Sequence, residues 1–242
     1  MFLDPRYFLI VGPALLFAMW ASFRVKSAYA KYSQVGNYAG LTGAQAAAAM
    51  LEQQGLRVVA SAEESRQTKG AVSIACAQGF LSDHYDPRER VLRLSPGVYG
   101  NTSLAAIGIA CHEAGHALQH AQNYSPLEFR TALVPTASLG SWAAFPLIFI
   151  GFLLHFPPLI LIGILGFTLV LFFQLVTLPV EFNASSRAKA ALSQMRMVQT
   201  QGEAQAVAAV LDAAALTYVA AAVSSVATLL YYLTILTGGS RD

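Results

Sequence analysis

Three long stretches of the chain are both predominantly apolar and free of charged side chains, and they dominate its hydrophobic pattern. They run from Tyr7 to Phe23, from Thr131 to Val180 and from Ala213 to Leu236. A helix needs about 20 apolar residues, and at least about 17, to cross a bilayer. The second stretch is long enough for two helices, and the pair Pro157-Pro158 predicts a break between them. We therefore expect four membrane-spanning helices, near residues 7–23, 136–154, 159–178 and 213–236.

The first stretch has a signal peptide as its alternative interpretation, because Ala28-Tyr29-Ala30 has the form of a cleavage site. The stretch is longer than the apolar core of a typical signal peptide, which has about 7 to 15 residues. Arg24 and Lys26 also separate it from the cleavage-like residues. We interpret it as an uncleaved membrane anchor.

Positive charges near the spans indicate which side of the bilayer is cytoplasmic. Four spans place both termini on one side, and residues 24–130 and 180–212 on the other. The cations near the spans on that second side are Arg24, Lys26, Lys31, Arg130, Arg187, Lys189 and Arg196, whereas the first side has Arg6 and Arg241. We therefore expect residues 24–130 and 180–212 to face the cytoplasm.

Residues 24–130 are numerous enough for one compact domain, and they carry both helix and strand patterns. Thr42 and Gln45 have the form of a capping box, which predicts a helix at Gln45 to Gln54 that Gly55 ends. Ala62 to Gly70 is charged and lacks periodicity, so it is expected to form a loop. Apolar runs predict strands at residues 56–60, 72–74, 80–84 and 91–94, with a turn at 86–89. The fold class is thus an α-helical polytopic membrane protein with a small α+β cytoplasmic domain.

The strand pattern Arg90-Val91-Leu92-Arg93-Leu94 alternates charged and apolar residues, as in a strand with one face on a core. If it lay at the edge of the sheet, it could bind an extended peptide through main-chain hydrogen bonds. A plain core strand is the equally weighted alternative.

The strongest chemical signal is His112-Glu113-Ala114-Gly115-His116, an H-E-x-x-H motif. It lies in a proline-free run from Leu104 to His120 that is preceded by Asn101, Thr102 and Ser103 as possible N-caps. Histidines four residues apart share one helical face and can bind the same Zn²⁺, while the glutamate serves as general base. Two histidines simply buried on a helix face are the structural alternative.

A catalytic zinc takes three protein ligands and leaves one position open. His120 lies about 12 Å along the helix axis from His112 and about 6 Å from His116, too far for zinc–nitrogen bonds of about 2.1 Å. Glu181 follows the third span and is expected on the same side of the bilayer as the motif, so we predict it as the third ligand. The residues after Pro179 are expected to begin a short helix whose small face, at Ala184 and Ala188, packs on the motif helix. A glutamate at the membrane boundary is the alternative.

Four segments together resemble one family: residues 81–87 (Leu-Ser-Asp-His-Tyr-Asp-Pro), residues 91–96, the motif region 108–119, and residues 178–185 (Leu-Pro-Val-Glu-Phe-Asn-Ala-Ser). The chain is similar over nearly its whole length to the YugP-type neutral zinc metallopeptidases of bacterial membranes. This resemblance implies a zincin fold, a single zinc on His112, His116 and Glu181, and a place in the bacterial inner membrane. The chain is more distantly similar to the HtpX and CAAX-prenyl endopeptidases. In those families an aspartate that orients a zinc-bound histidine stands where this chain has Ser185.

These inferences divide the chain into five segments. They are the anchor (1–23), the zincin-like domain (24–130), a transmembrane hairpin (131–179), a segment with the third ligand (180–212) and a C-terminal transmembrane helix (213–242).

Several residues are candidates for supporting roles, and the sequence does not rank them. Asp83, Asp86 or Asn183 could orient the histidine ligands. An oxyanion donor could come from Arg187, Tyr85, His84 or Tyr99. Turn formation is the preferred interpretation of Asp86, and Arg187 could instead be a topological anchor at the lipid headgroups.

Composition agrees with a membrane protein, with 55% hydrophobic and 12% charged residues, against about 25% charged in soluble domains. Cys76 and Cys111 do not have the spacing of a disulfide framework, and both are expected to stay reduced. The net charge of +2 points to no particular partner, and we expect no nucleic acid.

The function expected from these features is hydrolysis of peptide bonds by a zinc-activated water, with Glu113 as base. The expected partners are a peptide or membrane-protein substrate and the lipid bilayer. A second copy of the chain or another membrane protein could pack on the helices rich in small residues. The alternatives are a membrane scaffold or regulator with a structural or inactive zinc site, and a zinc hydrolase that acts on a lipid-linked substrate.

Overall fold

The computed structural model describes residues 4–79 and 82–238. The chain divides into two compact units. One comprises the chain up to Phe23, Glu128 to Pro179 and the chain from Leu216; the other comprises Arg24 to Leu127 and Val180 to Ala215. We call the first the apolar unit and the second the polar unit.

Long helices supply the apolar unit. Four helices are long and apolar enough to cross a membrane: α1 (Pro5–Tyr32), α6 (Ser125–Leu153), α7 (Pro157–Gln194) and α8 (Gln201–Gly238). Their large apolar side chains face outward, as Trp142 does with 79% of its surface exposed, and lipid would cover such surfaces. The four predicted spans are therefore confirmed as candidate spans by helix length and composition, although each helix extends beyond the uncharged stretch.

Prolines shape the ends of these helices differently from the sequence prediction. The break between α6 and α7 is confirmed, with His155 in the left-handed region at φ 51°, but the proline pair begins α7, where a missing N–H costs nothing. The prediction of a short helix that begins near Pro179 is wrong, because Pro179 lies inside the 38-residue α7. One proline removes one backbone hydrogen bond, and a helix already formed on both sides can tolerate that loss.

The polar unit begins with α2 (Gly43–Gln53), and the capping box of Thr42 and Gln45 is present as predicted. The segment 62–70, expected to be a loop, instead contains the short helix α3 (Ala62–Gln67). The Ser61 side chain accepts a hydrogen bond from the Glu64 backbone N–H, and Glu63 and Glu64 lie in the first turn. Capping and acidic residues at the N-terminus stabilise this helix without amphipathic periodicity.

Four short strands form one sheet in the order β1-β2-β4-β3. The strands are β1 (Arg57–Val59), β2 (Ala71–Cys76), β3 (His84–Asp86) and β4 (Val91–Leu94). β2 pairs in parallel with β1 and β4, whereas β3 pairs antiparallel with β4. The third strand was expected at 80–84; Phe80 and Leu81 lie outside the described residues, and the observed strand runs from His84 to Asp86.

Residues 90–94 were considered as a peptide-binding edge strand, and that placement was wrong. β4 has β2 on one side and β3 on the other, so its backbone groups are already paired within the sheet. Val91 and Leu92 are 1% and 0% exposed although they point to opposite faces. The charged residues suggested a solvated face, but Arg93 forms a salt bridge with Glu89, and Arg90 immediately precedes the strand.

Two further helices lie wholly in the polar unit, the short α4 (Pro96–Tyr99) and α5 (Leu104–Ala121), and parts of α1, α7 and α8 also belong to it. α5 is buried along most of its length, and α2 packs against it. Its apolar side chains, among them Ile107 and Leu118, join Met50, Leu92 and Leu192 in one hydrophobic core. The motif therefore lies on the central helix of this unit.

Candidate metal centre

Helix α5 presents both motif histidines on one side. Of the three possible N-caps, Ser103 is the one used: its hydroxyl accepts a hydrogen bond from the Ala106 backbone N–H at 3.2 Å. The imidazole rings of His112 and His116 lie with centroids 4.8 Å apart and planes at 86°. One turn of helix thus places two nitrogen donors beside each other.

Glu181, on α7, reaches the same point. Its Oε2 lies 3.3 Å from Nε2 of His112 and 3.5 Å from Nε2 of His116, and ligand atoms of the three side chains all lie within 4.8 Å of one another. Tetrahedral zinc with bonds of about 2.1 Å separates its ligand atoms by about 3.4 Å. The spacing and the donor types of this group, which we call the metal group, therefore fit a zinc ion.

A glycine allows the two helices to approach closely. A Cβ added to Gly115 would lie 2.9 Å from the carbonyl oxygen and 3.1 Å from the Cα of Ala184. Ala184 and Ala188 are fully buried, so the expected small face of this segment does pack on the motif helix. This contact brings Glu181, one turn before Ala184 on α7, to the histidines.

Gln119 orients His116. The Nδ1 of His116 lies 2.9 Å from Oε1 of Gln119, while Nε2 of Gln119 donates to the Val180 carbonyl at 2.8 Å and to Oδ1 of Asn183 at 2.9 Å. Because both partners of the amide nitrogen accept hydrogen bonds, the amide oxygen must face the imidazole. His116 then carries its proton on Nδ1, which leaves the Nε2 lone pair for a metal.

Ser185 takes the corresponding place at His112, where its hydroxyl lies 3.0 Å from Nδ1. Ser185 and Gln119 are 4% and 0% exposed. Two uncharged side chains therefore hold the two imidazoles. From the sequence, these partners stay open among Asp83, Asp86 and Asn183, and Gln119 is not among the candidates. The one signal for Gln119 in the sequence is its position one helical turn beyond His116.

Two of the remaining candidates support this network indirectly. Asn183 contacts Gln119, and its Oδ1 also accepts a hydrogen bond from Nε of Arg187 at 2.7 Å. Arg187 donates in addition to Oε1 of Gln122 at 2.7 Å. The structure thus places Asn183 and Arg187 beside the metal group, joined to His116 through Gln119.

Both aspartates bond to groups other than the metal ligands. Asp83 accepts hydrogen bonds from the backbone N–H and the hydroxyl of Ser95, at 2.7 and 3.0 Å, before helix α4. Asp86 accepts from the backbone N–H of Arg88 at 2.9 Å, as a turn residue does.

His84 and Tyr85 occupy the edge strand β3. His84 is exposed, and its Nδ1 lies 2.7 Å from the Ser82 carbonyl. The hydroxyl of Tyr85 lies 2.8 Å from Nδ1 of His120, and burial raises the pKa of this phenol. His120 therefore contacts Tyr85 and does not belong to the metal group. The fourth oxyanion candidate, Tyr99, ends α4 and packs against the hydrophobic core of the polar unit.

The buried environment also affects protonation on α5. Burial lowers the pKa of His116, but the hydrogen bond to Glu181 and the charge of Glu113 outweigh this effect, so that the pKa is raised. Glu113 is itself 9% exposed. Burial raises the pKa of Cys111 to about 12, which keeps this thiol protonated and a poor metal ligand.

Comparisons with known proteins place this geometry in a family. A family model described as "Putative neutral zinc metallopeptidase" matches residues 7–237. The chain is 44% identical over 230 residues to the "Putative membrane protease YugP" of Bacillus subtilis (strain 168), and the match covers 95% of each chain. No solved structure gives a significant match.

Proposed function

Since the chain belongs to the neutral zinc metallopeptidase family, we propose that it is a membrane endopeptidase of the gluzincin type. His112, His116 and Glu181 hold one zinc, and Glu113 is the general base. The observation that carries this proposal is the metal group itself, in which three ligand atoms from two helices lie within 4.8 Å. Zinc bound in such a site lowers the pKa of a coordinated water and polarises a carbonyl group.

The residues around the metal group have separate tasks in this proposal. Glu113, beside the first ligand and largely buried, holds the attacking water, takes its proton and passes it to the leaving amine. Gln119 and Ser185 fix the tautomer and direction of the imidazoles. Asn183 and Arg187 keep Gln119 in place.

The number of ligands supports catalysis over a purely structural zinc. Within the described part of the chain, the metal group contains three side chains that can each offer one ligand atom. Structural zinc sites are usually closed by four protein ligands, whereas catalytic sites keep a position for water. Three ligands with one open position therefore favour a peptidase over a membrane scaffold or regulator with a structural zinc.

We also propose that the polar unit, which contains the metal group, faces the cytoplasm of a bacterial cell. The support is the excess of Lys and Arg in residues 24–130 and 180–212 compared with the termini. Substrates would then be peptides or membrane proteins presented at that side.

Glu113→Gln provides the main test of the proposed function. The purified protein in detergent is assayed for zinc content and for cleavage of quenched peptides. We expect Glu113→Gln to retain zinc and to lose turnover by about 10²- to 10⁴-fold, the usual contribution of an acid–base group. Glu52→Gln, an exposed residue on α2, is the matched control and should cleave normally.

Removal of zinc tests the metal group separately. A chelator should abolish cleavage, and added zinc should restore it, whereas Glu181→Gln should reduce zinc binding itself. Cleavage that persists without zinc would exclude the zinc mechanism, and wild-type turnover in Glu113→Gln would exclude Glu113 as the base.

A further inference from the structure

A cavity of about 340 Å³ lies inside the polar unit, next to the motif helix. Its wall includes the first residues of β2, Tyr85 of β3 and the C-terminal part of α5, where Ala117, His120 and Ala121 line it. The volume lies within the range of ligand pockets, about 300–1,000 Å³. None of the three metal-group residues lines the cavity, so it is a separate feature of the unit.

Both charged groups in this wall, Lys69 and Arg90, are cations. The uncharged polar residues His120, Tyr85 and Asn123 line the cavity beside them, and no Asp or Glu is found among the described lining residues. Asp86, which follows Tyr85 on β3, directs its carboxylate to the backbone N–H of Arg88 and Glu89. A pocket with two full positive charges and no carboxylate attracts an anion.

The main chain and neighbouring carbonyls hold Arg90 in position. Arg90 has φ 54°, in the left-handed region, and its guanidinium donates to the carbonyls of Ser65 and Thr68 at 3.4 and 3.2 Å. Those two bonds use a single nitrogen of the five-donor guanidinium. The group is therefore held in position while it retains donors for a ligand, which reduces the entropic cost of binding.

The cavity lies close to the metal group along the helix. Ala117 directly follows the ligand His116, and His120 lies one helical turn further, about 6 Å along the axis and about 40° around it. A peptide bound with its scissile bond at the metal group extends about 3.3 Å per residue. A side chain or terminus one or two residues from the cleaved bond can therefore reach this wall.

We propose that this cavity is a specificity pocket that binds a carboxylate of the peptide substrate. The inference rests on the proposed peptidase function. Lys69 and Arg90 supply the charge, and His120 and Tyr85 form the neutral part of the wall. The carboxylate has two possible sources, an acidic side chain near the cleaved bond or the free C-terminus of the peptide, and the two predict different cleavage patterns.

The test uses zinc-loaded full-length protein in detergent and a set of quenched peptides with one neutral frame. Glu replaces Gln at each position from four before to four after the cleaved bond, and each peptide is made with a free or an amidated C-terminus. We expect one position of Glu, or the free C-terminus, to raise kcat/KM by about tenfold, as for hydrogen bonds to a charged group.

Charge reversal at Lys69 identifies the pocket. Lys69→Glu should abolish or invert the preference for Glu over Gln at that position. Arg88→Glu is the matched control, because Arg88 is an exposed cation of the neighbouring turn that does not line the cavity. The Arg88→Glu protein should prefer Glu over Gln to the same extent as the wild type. Binding of the same peptides to zinc-loaded Glu113→Gln, followed by fluorescence anisotropy, gives a readout without turnover.

The outcomes separate this inference from the proposed function. Cleavage of neutral peptides with no preference for a carboxylate, or with a preference that Lys69→Glu leaves intact, overturns the pocket and leaves the peptidase standing. Absence of cleavage together with Lys69-dependent binding of the acidic peptide supports the pocket and overturns the peptidase. Absence of both overturns both.

Discussion

Two neutral side chains hold the imidazoles of the metal group, and this distinguishes the site at the scale of single residues. The hydroxyl of Ser185 contacts Nδ1 of His112, and the amide oxygen of Gln119 contacts Nδ1 of His116. A carboxylate in either place would draw the Nδ1 proton more strongly and make Nε2 a better donor to the metal. With neutral partners at both imidazoles, Glu181 would be the single source of negative charge in the metal group when zinc is bound.

The residue at position 185 should therefore set the zinc affinity. Ser185→Ala leaves Nδ1 of His112 without its partner, and we expect zinc binding to weaken by about 10- to 100-fold, as for other partners of metal ligands. Ser185→Asp should bind zinc more tightly than Ser185→Ala, because an ionised acceptor forms the stronger hydrogen bond. Competition with a chromophoric chelator measures both affinities.

The control for these variants is Ser193→Ala, on an exposed position of the same helix, which should leave zinc affinity unchanged. If Ser185→Ala bound zinc as tightly as the wild type, the hydroxyl would have no role in orienting the ligand. Thermal melts of the metal-free proteins separate this effect from a loss of fold.

The contact between α5 and α7 is the most sensitive feature at the scale of elements. At Gly115 the backbone of Ala184 occupies the space that a side chain would need. Gly115→Ala gains about 1 kcal/mol in helix propensity, but the helices must separate to admit the methyl group. We expect a net loss of about 1–3 kcal/mol and weaker zinc binding, because Glu181 moves away from the histidines. Denaturant unfolding and zinc titration measure the two effects.

Gly202→Ala is the matched control for this substitution. Gly202 also lies in a helix of the polar unit, but an added Cβ there meets only the hydroxyl of Thr200 at 3.8 Å. It should be neutral or slightly stabilising. A Gly115→Ala protein as stable as Gly202→Ala would show that the close approach is not needed.

Local signals predicted several elements correctly from the sequence. The capping box at Thr42 gave α2, the apolar run at Val91 gave β4, and the break before Pro157 separated two candidate spans. Each depends on side chains within a few residues of one another, and such information is present in the chain itself.

Features that depend on distant parts of the chain were not predictable in the same way. The interior place of β4 depends on pairing with β2 and β3, and alternation of charge cannot reveal it. The continuity of α7 through Pro179 depends on the helix on both sides. Gln119 can orient His116 only because Val180 and Asn183, from α7, fix its amide group, and these partners are distant in the sequence.

At the scale of the whole molecule, the two cysteines offer a test of how the chain is oriented. Cys76 lies at the end of β2 in the polar unit and is exposed, whereas Cys111 is buried and its thiol stays protonated because burial raises its pKa to about 12. A maleimide reacts with accessible thiolates. The folded protein should therefore be labelled at Cys76 only.

We expect Cys76 to be protected from a membrane-impermeant maleimide in intact spheroplasts and labelled after lysis, because the cations of residues 24–130 and 180–212 retain that side in the cytoplasm. The control carries Cys76→Ser and Phe156→Cys, which moves the thiol to the exposed turn between α6 and α7. If the chain crosses the membrane four times, as the four candidate spans predict, this turn would lie on the side opposite Cys76 and should be labelled in intact spheroplasts. The opposite result, in which Cys76 is labelled before lysis and the cysteine of Phe156→Cys is protected, would contradict the proposed orientation. The metal group would then lie outside the cytoplasm.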